Sequence, residues 1–125
     1  MSRIILDRYP DGSEHFTIGW DHACGGGFWQ EWATDQEIAD AEERLAAWES
    51  NPESGPEPFR DGVLVETGIK REGGMWPGIP LADFLDSLPE DLRPLVTDEV
   101  MSLLREHAAD PDSGYGKAPI DLTGK

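Results

Sequence analysis

The segment RIILDRYPDGSEHFTIGW, residues 3–20, decides the start of the fold. Residues 3–9 are rich in β-forming side chains. Pro10-Asp11-Gly12 has turn chemistry, because proline presets φ and glycine accepts a positive φ. Apolar side chains then alternate with polar or small ones, as in a strand with one apolar face. The apolar members are Phe16, Ile18 and Trp20. The segment therefore predicts a β-hairpin.

A third strand and a helix are predicted next along the chain. The glycine run 25–27 leads into Phe28-Trp29-Gln30-Glu31-Trp32, which alternates as a strand and would complete a three-stranded meander. Thr34-Asp35-Gln36-Glu37 is a capping box, so a helix begins at Asp35. Its apolar positions form one stripe, which we expect to pack on the sheet. They are Ile38, Ala41, Leu45 and Trp48.

The second half of the chain has weaker signals. Residues 51–60 are rich in proline and predict an extended surface loop, and residues 62–70 predict a fourth strand. C-terminal helical segments follow: one starts at Pro80, Ser87-Leu88-Pro89-Glu90 indicates another start, and the last helix is capped by Thr97. We expect residues 110–125 to form a tail that is flexible or packed on the domain or on a partner.

These elements predict one α+β domain over residues 1–109, followed by the 110–125 tail. The expected architecture is an antiparallel sheet of three to four strands that begins with the hairpin. An acidic helix and the C-terminal helices pack against it.

Charge limits the partners that this chain can bind. The 125 residues carry 26 acidic and 10 basic side chains, a formal net charge of −16, which repels nucleic acids and anionic lipids. No apolar run has transmembrane length, no signal peptide is evident and Cys24 is the single cysteine, so we expect a cytoplasmic protein. Solubility or an acidic host proteome would explain the same charge.

Candidate chemistry is sparse. His22 and Cys24 lie two residues apart and, with His15, suggest a metal site or a thiol enzyme. The acidic surroundings disfavour a thiolate, however, and no second His/Cys pair completes a metal site. The glycine run 25–27 lacks the lysine and Ser/Thr of a phosphate-binding loop, and we interpret it as a flexible or bulged entry to the third strand. We predict no catalytic residue, cofactor or metal.

Two tryptophans and an acidic helix face are the candidate interaction residues. Trp29 and Trp76 have no periodic reason to be buried in the main core, so each either contacts a partner or covers a secondary core. Asp35, Glu42 and Glu49 recur every seven residues on the helix, and we place Asp40 and Glu43 near them. Such a face is either solvated or meets a basic surface.

We therefore hypothesise a non-enzymatic binding or inhibitory protein that engages a basic protein surface, such as that of a DNA- or RNA-handling complex, by nucleic-acid mimicry. In its general type, short, acidic and cysteine-poor, the chain resembles phage and plasmid accessory proteins, among them anti-CRISPR proteins; this is a likeness of composition. The alternatives are a small metal-binding or thiol enzyme at His15, His22 and Cys24, or a homodimeric structural subunit. The partner-bound protein would be a monomer or a homodimer.

Overall fold

The computed structural model describes residues 3–22, 24–74, 77–110 and 120–123. These residues contain strands and α-helices in the following order: β1 (Ile4–Arg8), β2 (Glu14–Asp21), β3 (Gly26–Trp32), α1 (Asp35–Ser50), α2 (Phe59–Thr67), β4 (Ile69–Gly73), α3 (Phe84–Ser87), α4 (Asp98–Ala109) and β5 (Ile120–Asp121). Short 3₁₀ helices lie at Pro52–Ser54, Leu81–Asp83 and Arg93–Leu95. No helix in the described ranges is long and apolar enough to cross a bilayer.

The strands form one five-stranded sheet in the order β4-β3-β2-β1-β5. The predicted hairpin and meander are confirmed, because β2 pairs antiparallel with both β1 and β3. The predicted α+β class is confirmed, but the sheet has five strands where three to four antiparallel ones were predicted, and it is mixed because β5 pairs parallel with β1. A strand of two residues is too short to leave a periodic signal, and backbone bonds such as Ile120 N to Arg3 O (3.0 Å) hold it in place.

Part of the predicted C-terminal tail therefore belongs to the sheet. Arg8 donates from Nε to Thr123 Oγ1 (3.2 Å) and forms an ion pair with Asp121 (3.0 Å). These contacts attach residues 120–123 to β1. Residues 111–119 lie outside the described part of the chain.

Two compact units divide the chain: residues 1–31 with 71–125, and residues 32–70. In the first unit, one face of β1–β3 packs against the C-terminal helical segments, as expected. The buried members of this core are Ile4, Phe16, Ile18, Trp29, Phe84, Leu88, Leu92, Val96, Val100, Met101 and Leu104. Burying each large side chain contributes about 1.5–3 kcal/mol, so this cluster holds the helices on the sheet.

Trp29 belongs to that core, which corrects its assignment as a candidate partner contact. It stands opposite Ile18 in the strand register and is only 7% exposed. Phe28, on the other face of the same strand, is fully buried. Because β3 is buried on both faces, alternation did not separate core from surface here. Trp76 lies outside the described residues.

The second unit contains α1 and α2. The α1 capping box is confirmed: Thr34 Oγ1 accepts from the amide of Glu37 (3.1 Å), and the Glu37 carboxylate accepts from the amide of Thr34 (3.3 Å). The predicted strand over 62–70 is wrong for residues 62–67, which complete α2, whereas Ile69 and Lys70 begin β4. The apolar run 63–65 is too short for its periodicity to distinguish helix from strand. Gly68, at φ +73°, ends the helix in the left-handed conformation.

The predicted loop over 51–60 is also partly helical. It contains the 3₁₀ helix Pro52–Ser54 and the first residues of α2. Proline is compatible with the first turn of a helix, so a proline-rich segment does not exclude short helical turns.

The glycine run is explained by a close backbone approach at the start of β3. Gly27 and Ile79 exchange two backbone hydrogen bonds of 2.8 Å. A Cβ atom on Gly26 would lie 2.5 Å from the carbonyl carbon of Gly78, and one on Gly78 would lie 2.3 Å from the nitrogen of Gly26. Glycine is required at both positions because two main chains pack directly against each other.

We predict that Gly26→Ala lowers the free energy of unfolding by about 1–3 kcal/mol, the usual cost of overpacking, because the added methyl group meets backbone. Urea denaturation followed by circular dichroism measures this change. Gly55→Ala is the control, since Gly55 has extended backbone and open space around its Cβ position. Equal stability of the two variants would contradict the close approach.

Candidate functional site

A network of charged side chains crosses the sheet of the first unit. Successive strands β1 to β4 contribute one member each, and a loop residue ends the network; in order these are Asp7, His15, Glu31, Arg71 and Asp91. His15 Nδ1 lies 2.5 Å from Asp7 Oδ2, and Nε2 lies 2.9 Å from Glu31 Oε2. Arg71 donates to Glu31 (2.5 Å) and, through both terminal nitrogens, to Asp91 (3.2 and 2.7 Å).

Both ring nitrogens of His15 face a carboxylate, and this geometry favours the imidazolium, which donates from both. Burial alone would lower the pKa of His15. The hydrogen bonds and negative charges of Asp7 and Glu31 outweigh burial, so the pKa of His15 is raised above its ordinary value of 6.5. Tyr9 covers the ring at a centroid distance of 4.6 Å.

Glu31 is the buried centre of the network, only 4% exposed. It lies between the two positive groups, since one carboxylate oxygen faces His15 and the other accepts from Arg71. The hydrogen bonds that Arg71 donates to Glu31 and Asp91 raise the pKa of Arg71. The hydrogen bond from Arg71 also lowers the pKa of Asp91. A buried carboxylate needs such pairing, because desolvating an isolated charge costs several kcal/mol.

These contacts link the side chains of neighbouring strands, so the network has a structural role in the sheet. Each ring nitrogen of His15 already faces a carboxylate, and each oxygen of the buried Glu31 already faces a cation, so the polar atoms of both side chains are directed at partners within the unit. The described residues contain no group of three or more His, Cys, Asp or Glu side chains that could hold a metal ion. The sequence had offered His15 only as a ligand beside His22 and Cys24, because its true partners lie on other strands.

His22 and Cys24 bond to separate partners. His22 Nε2 lies 2.8 Å from the carbonyl oxygen of Asp110 and 3.1 Å from that of His107, so it donates to the C-terminal end of α4. Cys24 Sγ donates to Asp21 Oδ2 at 3.3 Å. Desolvation and the Asp21 carboxylate raise the pKa of Cys24, which disfavours the thiolate that a nucleophile or metal ligand needs.

The predicted acidic face lies on α1 in the second unit. Asp35, Glu42, Glu43 and Glu49 are exposed, and none has an ion pair or side-chain hydrogen bond in the part of the chain that the structure describes. Asp40 is half-buried and accepts from Gln36 (3.0 Å).

Helical geometry divides these five carboxylates. At roughly 100° per residue, Asp35, Glu42 and Glu49 span an arc of about 40°, whereas Asp40 lies on the opposite side of the helix. We therefore define the acidic row as Asp35, Glu42 and Glu49, with Glu43 beside it. The placement of Asp40 near the row is wrong.

The basic side chains of the second unit are few. Residues 32–70 contain ten acidic and three basic side chains, a net charge of −7. Lys70 pairs with Glu37 (2.8 Å), and Arg44 pairs with Asp61 (3.4 Å). The Lys70 bond helps to lower the pKa of Glu37, although burial opposes this shift. The two paired cations are thus directed away from the acidic row.

An apolar groove in the same unit was missed by the sequence analysis. It lies between α1 and the segment 55–66 and comprises two concavities, of about 150 and 310 Å³, that share Pro58 as a lining residue. Phe59 stands at its edge with 74% of its surface exposed, the largest exposure of a large hydrophobic residue among those described. The only available signal was an aromatic residue inside a proline-rich segment, which composition had assigned to a loop.

The chain matches no family model, no curated protein and no solved structure. Function is therefore inferred from the geometry of its own residues. The charged network of the first unit is internally paired, whereas the carboxylates of the acidic row are exposed without a partner among the described residues, and the groove exposes Phe59.

We predict that His15 makes stability depend on pH. Because folding raises the pKa of His15, its contribution is complete below about pH 6.5 and is lost as the pH rises through the folded pKa. The difference in the free energy of unfolding between wild type and His15→Gln should therefore shrink from pH 6 to pH 9. Urea denaturation across this range measures the difference, and a constant value would contradict the paired imidazolium.

We predict that Glu31→Gln lowers the free energy of unfolding by at least about 2 kcal/mol, because it leaves His15 and Arg71 without their shared carboxylate. Asp91→Asn removes the exposed end of the network and should cost only a small fraction of this. Thermal and urea denaturation of both variants provide the comparison. Equal decreases in the free energy of unfolding would show that Glu31 is not the centre of the network.

Proposed function

We propose that this protein is a non-enzymatic binding protein whose acidic unit, residues 32–70, engages a basic surface of a partner protein. The observation that carries the proposal is the exposed acidic row on α1, unpaired within the described residues. Two of the three cations of the unit, Arg44 and Lys70, pair elsewhere in it, and the third, Arg60, lies on α2 and not on α1.

Electrostatics explain what such a row contributes. Like charges on one helix face repel one another and cost some stability, and an approaching basic surface relieves this repulsion. Complementary charge mainly raises the association rate and makes it sensitive to salt. A face that serves only solubility predicts no saturable partner, which makes it the competing explanation that the experiment must exclude.

The spacing of the row indicates how closely it imitates a nucleic acid. Seven residues of α-helix rise about 10.5 Å, whereas one strand of duplex DNA carries a phosphate about every 3.4 Å along its axis. The row is therefore sparser than a phosphate backbone. The proposal is engagement of a basic patch, and inhibition of a DNA- or RNA-handling protein through its cationic groove is the first class to test.

We predict that Glu42→Lys with Glu49→Lys abolishes retention of the partner, because the row then repels a basic surface. Tagged wild type and variant are incubated with nuclease-treated lysate of the source organism, washed at low and high salt, and the bound proteins are identified. With the partner in hand, stopped-flow mixing should show an association rate at least tenfold slower for the variant.

The matched control is Asp86→Lys with Glu90→Lys, which makes the same charge change at two exposed carboxylates of the first unit. It should retain the partner. If both double variants lose binding equally, net charge and not the acidic row is responsible. If neither variant loses it, the row has no binding role.

A further inference from the structure

The groove beside α1 has an open floor at Gly62. On α2 one face carries Phe59, Gly62, Val63 and Glu66, spaced as i, i+3, i+4 and i+7, and Leu45 of α1 lines the opposite wall. Apart from the two neighbouring residues and the backbone of α2 itself, no described heavy atom lies within 4 Å of the position that a Cβ on Gly62 would take. The half-buried backbone of α2 at Gly62 therefore forms the bottom of the groove, with open space above it.

Gly62 has no structural explanation within the described chain. Glycine inside a helix costs about 0.5–1 kcal/mol relative to alanine. At Gly26 a close backbone contact requires a residue without a Cβ atom, but at Gly62 the space that a Cβ would occupy is open. A helical glycine in open space, beside a phenylalanine that is 74% exposed, leaves room for a side chain from another molecule.

The rim of the groove is acidic and determines which molecule fits. Glu57 and Glu66 line it and form no side-chain hydrogen bond or ion pair within the described ranges. The second concavity is lined by Trp48 and Pro56 and also by Arg44, whose charge is paired with that of Asp61, and the unit as a whole has a net charge of −7. An apolar groove with a negative rim is complementary to an amphipathic, basic segment.

We infer that this groove receives a basic amphipathic helix of the partner protein, with one apolar side chain inserted over Gly62 against Phe59 and Leu45. The inference rests on the proposed function and specifies its apolar contact. Glu57 and Glu66 pair with lysine or arginine residues that flank the inserted side chain. Insertion of amphipathic helices into apolar grooves is a recurrent recognition mode, and aromatic side chains supply much of the binding energy. Charge repulsion at −16 per chain opposes a second copy as the occupant.

The probe is an 18-residue labelled peptide of leucine and lysine patterned as an amphipathic helix, and fluorescence anisotropy at 0.15 M salt measures its binding to the full chain. A second peptide, with every leucine replaced by serine, keeps the charge and removes the apolar face. We expect the leucine peptide to bind wild type at least tenfold more tightly. Equal affinities would overturn the inference.

Two variants locate the binding in the groove. Phe59→Ser removes the exposed wall, and Gly62→Leu fills the floor while favouring helix, so it should keep or raise the melting temperature. Both should weaken binding of the leucine peptide at least tenfold. Leu85→Ser is the matched control, because Leu85 is an exposed hydrophobic residue of the first unit and should not affect binding. Wild-type affinity in Gly62→Leu would overturn the inference.

The same titrations separate this inference from the proposed function. If Glu42→Lys with Glu49→Lys weakens both peptides but the groove variants weaken neither, the acidic row binds and the groove does not. If neither the charge reversals nor the groove variants weaken binding of either peptide, the proposed function fails together with the inference. Sedimentation equilibrium tests the remaining occupant, and a dimer that Phe59→Ser dissociates would assign the groove to a second copy and overturn the inference.

Discussion

The buried carboxylate of Glu31 is the constraint on which the sheet depends. A carboxylate with 4% exposure must meet positive charge, and here it meets two cations, His15 and Arg71, from the strands on either side. The network links the four neighbouring strands β1, β2, β3 and β4 through their side chains. Three of these strands, β1 to β3, carry the apolar core on which the C-terminal helical segments pack.

This internal pairing also determines where interaction chemistry remains. In the first unit, the members of the network, and also His22 and Cys24, have hydrogen-bond partners within the chain. In the second unit, the acidic row and the groove rim have none among the described residues. Paired charges stabilise the fold, whereas exposed unpaired ones are available to another molecule. The proposals therefore concern residues 32–70.

Local signals predicted the elements that local chemistry specifies. The hairpin, the capping box at Thr34 and the cap at Thr97 depend on neighbouring residues, and all three are confirmed. The run 63–65 was assigned to a strand because three consecutive apolar residues fit the period of a helix as well as that of a strand. Packing of α2 against α1 favours the helix. The prediction for Trp29 was wrong for a different reason, since alternation identifies the buried face of a strand only when the other face meets water.

The sequence alone determined the charge, the hairpin, the boundaries of capped helices and the exposed carboxylates of α1, because these depend on composition or on residues within one turn. Tertiary structure decided the partners of His15, the burial of Trp29, the parallel strand at Ile120–Asp121 and the groove at Gly62. Each of these joins residues that are distant along the chain. Their energies arise from desolvation and packing in three dimensions, which no local pattern encodes.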